Sequence, residues 1–527
     1  MTNSLCSKKT FAILLAFFIV SRAVASCFVS LVDTSEARYA TIAKNMAHTN
    51  HFWEPRFYFE GVSQVFTVKP PLTFQLSALS CKVFGENPFA VRFPALLSAV
   101  AILGMIYLNV RRLRNEQTAM AATLLCTCSC MFFFYAGMTM TDLILTAAVI
   151  GGIFSYIRFE ATENVREKKL FSLLYFATLA FGTLVKGPVA LVMAGLPVFF
   201  HVLINNRWKE LRYHAWFLGS LCFLLITVPY YAYMDFRYPG FVHYFIVEET
   251  FQRYLAKEVD IKLGDTRDSF RGAAFLFFIA LNLPVLVLTQ FHSWRKFAQV
   301  HHHSLWKDPL SGIAALTCLT VTLFWCLTER ALITYLLPTV PMLAVFLATR
   351  FNDCGFWESP RFTRGLRWFI VTFLLLHPLL LTVSAVVGSQ VSTEVVQPFY
   401  QRALAHLQTD ARYPKAKLYF AGTLPFSGEF YLPPESFVLH EPDKTPESWL
   451  ESSRHDFLAI NQHQMDELDH PIERELLVHY GLWYLFAPVE SEAKPETEPD
   501  AEPKAEPEAK PETTPETKPA DGTIPTP

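Results

Sequence analysis

The chain has 527 residues, of which 52% are apolar and only 17% charged, and Phe alone contributes 48. Soluble proteins carry about 25% charged residues. The low charge and a positive mean hydropathy therefore exclude a soluble enzyme, a disordered scaffold and a small disulfide-framed secreted domain. The net charge of −2 reflects residues 491–527, whose ten acidic residues and four lysines leave +4 for the rest, too small and dispersed for a nucleic-acid partner.

A bilayer crossing needs about 20 apolar residues in a helix. In chain order, candidate spans fall near 11–32, 94–110, 117–135, 141–157, 170–185, 188–204, 213–233, 272–290, 309–327, 332–349 and 368–388. The first follows Lys8 and Lys9 and is too long for a signal-peptide core, so it is expected to remain as an anchor. Basic residues collect in every second connector. These are Arg111, Arg112 and Arg114; Arg158, Arg166, Lys168 and Lys169; Arg207, Lys209 and Arg212; Arg295, Lys296 and Lys307; and Arg350, Arg361, Arg364 and Arg367. The short turns between them hold only Lys186 and Arg330. The positive-inside rule then gives a cytoplasmic N-terminus and a membrane all-α bundle of about 11 (11–13) helices over residues 1–389.

Two long loops, 33–71 and 234–271, fall on the outer side, where their mixed charge does not oppose translocation. Residues 390–490 alternate short apolar runs such as KLYFAG and DFLAI with helix-like stretches, which predicts a small α/β domain outside the membrane. From Ser491, Pro recurs every fourth residue between Pro495 and Pro519 among Glu, Ala, Thr and Lys, a composition that cannot build a core and predicts a disordered tail. Nine of the ten cysteines lie in or beside apolar segments. Cys126, Cys128 and Cys130 are read as packing residues, since helix positions two apart do not share a face.

The first outer loop carries Asp33, Glu36 and Arg38 where the first span leaves the lipid. The spacing of Tyr39, Ile42, Ala43 and Met46 then predicts a short helix lying in the membrane interface. Lys69 precedes two prolines and a second interfacial helix. Carboxylates and cations held at headgroup depth suit a substrate with a phosphate head and a lipid tail. Ordinary headgroup-facing charge is the simpler alternative for each residue singly.

The motifs D-x-x-E-A-R-Y-A (from Asp33), K-P-P-L (from Lys69) and FGENPFAVRFPALLSAV resemble the bacterial polyprenyl-phosphate-sugar-dependent glycosyltransferases. The resemblance is in particular to the lipid A aminoarabinose transferases, relatives of the protein O-mannosyltransferases. FVHYFIVEETFQRY at 241–254, TDLIL with Asp142, TLVKGPVAL with Lys186 and TYLLPTVP with Tyr335 and Pro338 agree in order. The resemblance implies a GT-C type fold in the bacterial inner membrane with a periplasmic site. It also implies transfer of a (possibly amino-) sugar from a polyprenyl phosphate, with inversion, to lipid A or another periplasmic glycan or protein. The family's catalytic Asp precedes the Glu of D-E-x-R-Y; that position here is Ser35, so Asp33 or Glu36 takes the role. The family's metal-associated Glu and His correspond to Val68 and Thr250, so no cofactor is expected, with a divalent metal as the alternative.

Cations beside the departing phosphate stabilise charge that grows in the transition state. Arg38, Lys69 and Arg253 are the candidates, with Tyr335 as a hydroxyl donor, and Asp33, Lys69 and Arg253 are expected to converge. Asp142 and Lys186 join the site or serve as a helix-start acid and a snorkelling anchor. Arg92 contacts phosphate or fixes the loop. Arg22, a costly mid-span charge, pairs with another helix. The triplet His301–His303 belongs to a cytoplasmic linker. A transporter is the rival from another class, but the ionisable residues crowd the outer loops and no internal repeat is evident. A protein O-glycosyltransferase would share the donor and differ in the acceptor.

Overall fold

The computed structural model describes residues 5–33, 35–49, 51–59, 62–252, 254, 269–290, 306–422, 424–438 and 445–489. Arg253, the connector residues Arg295 and Lys296, the His301–His303 triplet and the tail from Ser491 lie outside the described residues.

Every stretch expected to cross the membrane is helical. The helices of the bundle are α1 (Lys8–Phe28), α4 (Pro88–Leu113), α5 (Glu116–Thr127), the short α6 (Cys130–Tyr135), α7 (Thr141–Ala161), α8 (Val165–Lys186), α9 (Val189–Ile204) and α10 (Trp216–Arg237), then α11 (Ala273–Gln290), α12 (Pro309–Cys326), α13 (Thr339–Asp353) and α14 (Pro360–Val391). Eight helical segments among the described residues are long and apolar enough to cross a bilayer; Val189–Ile204 and Ala273–Leu283 are apolar but shorter. The stretch read as one span at 117–135 is broken. Ser129 leaves α5 and caps α6 by accepting from the Phe132 N–H, while its own hydroxyl donates to Leu281 O at 3.3 Å.

Arg22 explains how a charge sits inside α1. It is 2% exposed and donates from Nη2 to the carbonyls of Phe134 (2.9 Å) and Gly137 (2.6 Å), satisfying the open C-terminal end of α6.

Between α1 and α4 the chain forms α2 (Ser35–Thr49), a hairpin of β1 (Arg56–Phe59) and β2 (Val62–Val65), and α3 (Leu72–Phe84). Both predicted short helices exist. The apolar stripe of α2, however, is covered by protein: Tyr39, Ile42 and Met46 pack with Phe57, Phe66 and Phe74, and Ala43 packs with Leu31, Ala90 and Phe430. A hairpin invisible to helical periodicity supplies much of that cover.

The C-terminal segment contains α15 (Gln397–Thr409), β3 (Leu418–Phe420), α16 (Phe426–Tyr431), α17 (Pro446–Ser452), β4 (Phe457–Asn461), α18 (Gln462–Asp466), β5 (Leu476–Tyr480) and β6 (Trp483–Phe486). The sheet order is β3-β4-β6-β5, with β3 and β4 parallel and the other pairs antiparallel. Strand alternation puts Leu418, Phe420 and Ala459 against α15, and Tyr419, Leu458 and Ile460 against Trp449 of α17.

Replacing Arg22 by Met keeps most of the side-chain volume but strips two carbonyls of their donor. The expected loss is on the order of 2–4 kcal/mol, read as a lowered unfolding midpoint of the purified protein in detergent. An unchanged midpoint would deny Arg22 this structural role.

Candidate functional site

Helices α1 and α8 finish, and α4 and α7 begin, at one end of the bundle, and the candidate residues gather there. Antiparallel α7 and α8 make the first contact. Asp142 lies in the first turn of α7 and Lys186 in the last turn of α8, each at the helix end whose dipole favours its charge. Lys186 Nζ meets Asp142 Oδ1 at 2.8 Å, with the two side chains 10% and 4% exposed. The same ammonium stands 4.0 Å from the ring centroid of Tyr335, whose ring packs 4.4 Å from Trp325. Tyr335 thus offers Lys186 its π-face.

Gly187 ends α8 with φ +84°, and a Cβ there would come within 2.9 Å of the Phe245 ring. Its missing side chain lets a π-helix, Tyr244–Gln252, lie beside Lys186. That π-helix carries Glu249, which Lys69 Nζ meets at 3.2 Å. Tyr254 stacks on Phe324 at 4.6 Å and packs against Trp325 at 5.9 Å, the ring that also meets Tyr335.

Glu36 and Arg92 form a second centre, each 2% exposed. Arg92 Nε donates to Glu36 Oε1 (2.8 Å) and Nη2 to Oε2 (2.9 Å), a bidentate pair. Arg92 also donates to the carbonyls of Ser26, Val29 and Ser30, closing the end of α1. Glu36 in turn accepts from the N–H groups of Val32 (3.2 Å) and Thr139 (3.1 Å). Thr139 precedes Asp142 by three residues, and Tyr135 lies within electrostatic reach of Glu36, Asp142 and Tyr335. The two centres are therefore neighbours.

Asp33 faces elsewhere. Its carboxylate accepts from the Ser427 N–H (3.0 Å) and hydroxyl at the start of α16, and the Ser427 hydroxyl also bonds the Tyr400 hydroxyl at 3.0 Å. Burial pushes its pKa from 3.8 up to about 7, Ser427 partly offsets the rise, and the charges of Glu394 and Glu36 add to it. Thr41 donates to Phe426 O, and Lys44 to the carbonyls of Glu429 and Phe430, so α2 docks on α16 at several points. Arg38 lies among the rings of Phe66 (5.3 Å), Phe426 (5.5 Å) and Tyr39 (5.9 Å).

The structure thus unites Asp142, Lys186 and Tyr335, pairs Glu36 with Arg92, and gives Lys69 a carboxylate partner. It does not bring Asp33 and Lys69 onto a common partner. Glu249 was legible as the acid of the EETFQR segment but was not singled out. Ser427 and Tyr400 carry no sequence signal. Glu54 was also missed: it takes Arg56 at 2.8 Å and the hydroxyls of Tyr233 and Tyr238, anchoring the first loop to the end of α10. Burial alone would raise its pKa, yet those hydrogen bonds carry it below the ordinary value.

The raised pKa of Asp33 makes its contact sensitive to pH. The protonated form is favoured when docked, so stability is fully present below the ordinary value of 3.8 and is lost as pH rises through about 7. Hydrogen exchange of residues 426–431, corrected for intrinsic rate, is expected to show opening easier by up to about 1.4 kcal/mol per pH unit in that window. Asp33→Asn is expected to flatten the profile; an equal slope in the variant would refute the assignment.

Residues 7–245 match the dolichyl-phosphate-mannose-protein mannosyltransferase family. An undecaprenyl phosphate-alpha-4-amino-4-deoxy-L-arabinose arabinosyl transferase of Shewanella sediminis is 26% identical over 330 residues, 60% of this chain and 55% of that protein. Its counterpart in Pectobacterium carotovorum is 24% identical over 352 residues, 65% of this chain and 59% of the relative. The chain thus spans little more than half the length of these relatives. In three dimensions the crystal structure of ArnT from Cupriavidus metallidurans bound to undecaprenyl phosphate aligns with TM-score 0.72 at 16% identity, covering 93% of this chain and 100% of that one. The apo form gives 0.69, with coverage of 90% and 97%. These likenesses agree with the resemblance read from the motifs: the chain is similar in sequence to aminoarabinose transferases and shares the multi-helix membrane fold of ArnT.

Proposed function

We propose that this chain is an integral-membrane glycosyltransferase that moves a sugar, in the aminoarabinose class, from a polyprenyl phosphate to a phosphate of lipid A. The carrying observation is the gathering of Lys186, Lys69 and Tyr335 from separated segments at one end of the bundle, each with a fixed neighbour. The relatives' names supply the donor and the amino sugar. The reading places about eleven crossings in the inner membrane with the N-terminus cytoplasmic. The site and a domain of residues 390–490 are periplasmic, residues 1–389 form the transferase domain, and 491–527 form a tail.

In the reaction an acceptor oxygen attacks the anomeric carbon from the face opposite the phosphate. The bond from that carbon to the phosphate oxygen breaks, and the electron pair leaves on polyprenyl phosphate. Lys186 and Lys69 meet the charge that develops there, with Arg253 and Arg38 as further cations. A hydroxyl acceptor would also need a base to take its proton. Each carboxylate here is already engaged: Asp142 and Glu249 by lysines, Glu36 by Arg92 and Asp33 by Ser427. An ionised phosphate acceptor needs no base, which favours lipid A phosphate over a protein hydroxyl. Glu36 and Arg92 then hold the frame, Asp142 positions Lys186, and Asp33 positions the docked domain.

Val68 and Thr250 do not fit a divalent metal. Val68 packs in an apolar cluster with Met140, and the Thr250 hydroxyl donates to Phe245 O at 2.8 Å. No step is routed through a metal, and chelators are expected to leave transfer intact; inhibition reversed by added metal would overturn this.

Transfer from polyprenyl-linked amino sugar to lipid A, followed by mass spectrometry in proteoliposomes, tests the whole reading. Lys186→Ala should lower kcat/KM by roughly 10²–10³, the loss typical of a preorganised electrostatic group. Asp33→Asn should retain most activity. An equal collapse in both variants would assign a base to Asp33 and point to a hydroxyl acceptor, while an inactive wild type would refute the reaction.

A further inference from the structure

At the opposite end of the bundle, where α7 and α9 finish and α10 begins, lies a cavity of about 200 Å³. That is below the roughly 300–1,000 Å³ of sites that enclose a whole small molecule, and suits a segment of one acyl chain. Its walls include Tyr156, Phe176, Phe199, Val202, Trp208 and Trp216, drawn from α7, α8, α9, the turn after it and α10. Phe199, Trp208 and Trp216 are 47%, 47% and 52% exposed, so part of the cavity wall reaches the outer surface of the bundle.

Gly195 adds to the space. It sits within α9, lines the cavity, and has nothing within 4 Å of where a Cβ would lie. Gly in a helix interior is about 1 kcal/mol less favourable than Ala. Close packing justifies that cost at Gly182, where Ala190 stands 2.8 Å from the Cβ position. At Gly195 no neighbour asks for it; what the missing side chain provides is room.

The turn that supplies Trp208 and Leu211 to the cavity is cationic and rigid. The turn Trp208–Tyr213 follows α9, exposing Arg207, Lys209 and Arg212. Glu210 holds the turn to Lys168 at 2.9 Å, and Leu211 O accepts from Trp216 Nε1 at 2.8 Å. Arg207 lies 4.0 Å from the nearly buried Glu160, whereas Lys209 and Arg212, the latter donating to the Tyr213 hydroxyl at 2.7 Å, stand exposed on the turn beside the cavity. Tryptophans mark the interface level of a membrane protein, and Lys and Arg beside them attract anionic headgroups.

We infer that this cavity is a binding site for an anionic glycerophospholipid, with an acyl chain between α8, α9 and α10 and its phosphate against Lys209 and Arg212. Neither the transfer reaction nor its residues are involved, so the inference stands apart from the proposed function. The full chain is placed in nanodiscs of equimolar phosphatidylglycerol and phosphatidylcholine with matched acyl chains, and retained lipid is read by native mass spectrometry. Wild type is expected to retain phosphatidylglycerol on the order of tenfold over phosphatidylcholine. Gly195→Phe should lose the retained lipid, whereas Gly195→Ala, with the same thermal midpoint as wild type, should keep it. The double substitution Lys209→Glu, Arg212→Glu should keep a lipid but bring the ratio near one. Equal retention of the two lipids by wild type would overturn the site. So would undiminished retention by a folded Gly195→Phe protein, or stoichiometric displacement by polyprenyl phosphate, which would assign the cavity to the donor lipid.

Discussion

The Glu36–Arg92 pair is the constraint on which the site end of the bundle depends. With both side chains 2% exposed, neither charge has water to fall back on. A buried ion pair of this kind is weak as a source of net stability, but removing one partner typically costs 3–5 kcal/mol because the other is stranded. Arg92 comes from the first turns of α4, Glu36 from the start of α2, the carbonyls it closes from the end of α1, and Thr139 from the turn before α7. One cluster therefore sets the relative position of four segments. Lys186, which must find Asp142 at the start of α7, inherits its place from that arrangement.

The pair also clarifies a departure in the motif. Where the resembled family carries Asp-Glu, this chain has Ser35-Glu36, with Asp33 displaced. The structure gives the retained Glu to the frame and turns Asp33 toward Ser427, at the junction with the C-terminal segment. A carboxylate two residues from its counterpart's position has not simply moved within one cavity. Its partner lies 394 residues away in the chain, while Glu36 stays close enough to add to its raised pKa.

Apolar runs of about 20 residues and alternating basic connectors carry their own signal, so the helices of the bundle were legible in the sequence. The pairing of Asp142 with Lys186 was not, because 44 residues separate them and only the antiparallel packing of α7 on α8 brings those helix ends together. Local periodicity also misled in α2. The stripe through Tyr39, Ile42 and Met46 is real, yet periodicity tells only that a face is apolar and not whether lipid or protein covers it. The break at Ser129 was hidden for a related reason. One hydroxyl capping a helix inside an apolar run leaves the mean hydropathy untouched.

The resting site, on the proposed function, is nearly neutral: Lys186 lies against Asp142 and Lys69 against Glu249. This neutrality suits the charge balance of the donor. A sugar bound through a polyprenyl phosphate is a diester with one negative charge, and the departing polyprenyl phosphate is a monoester that can carry two. The added charge appears only as the glycosidic bond breaks. A cation about 4 Å away interacts with a unit charge by roughly 4 kcal/mol at an effective dielectric near 20. In the ground state each lysine divides its field between a carboxylate and the single phosphate charge. As the second charge grows, the phosphate competes better, and the lysines swing their interaction toward it. Stabilisation weighted in this way toward the transition state raises the rate without tightening the hold on substrate.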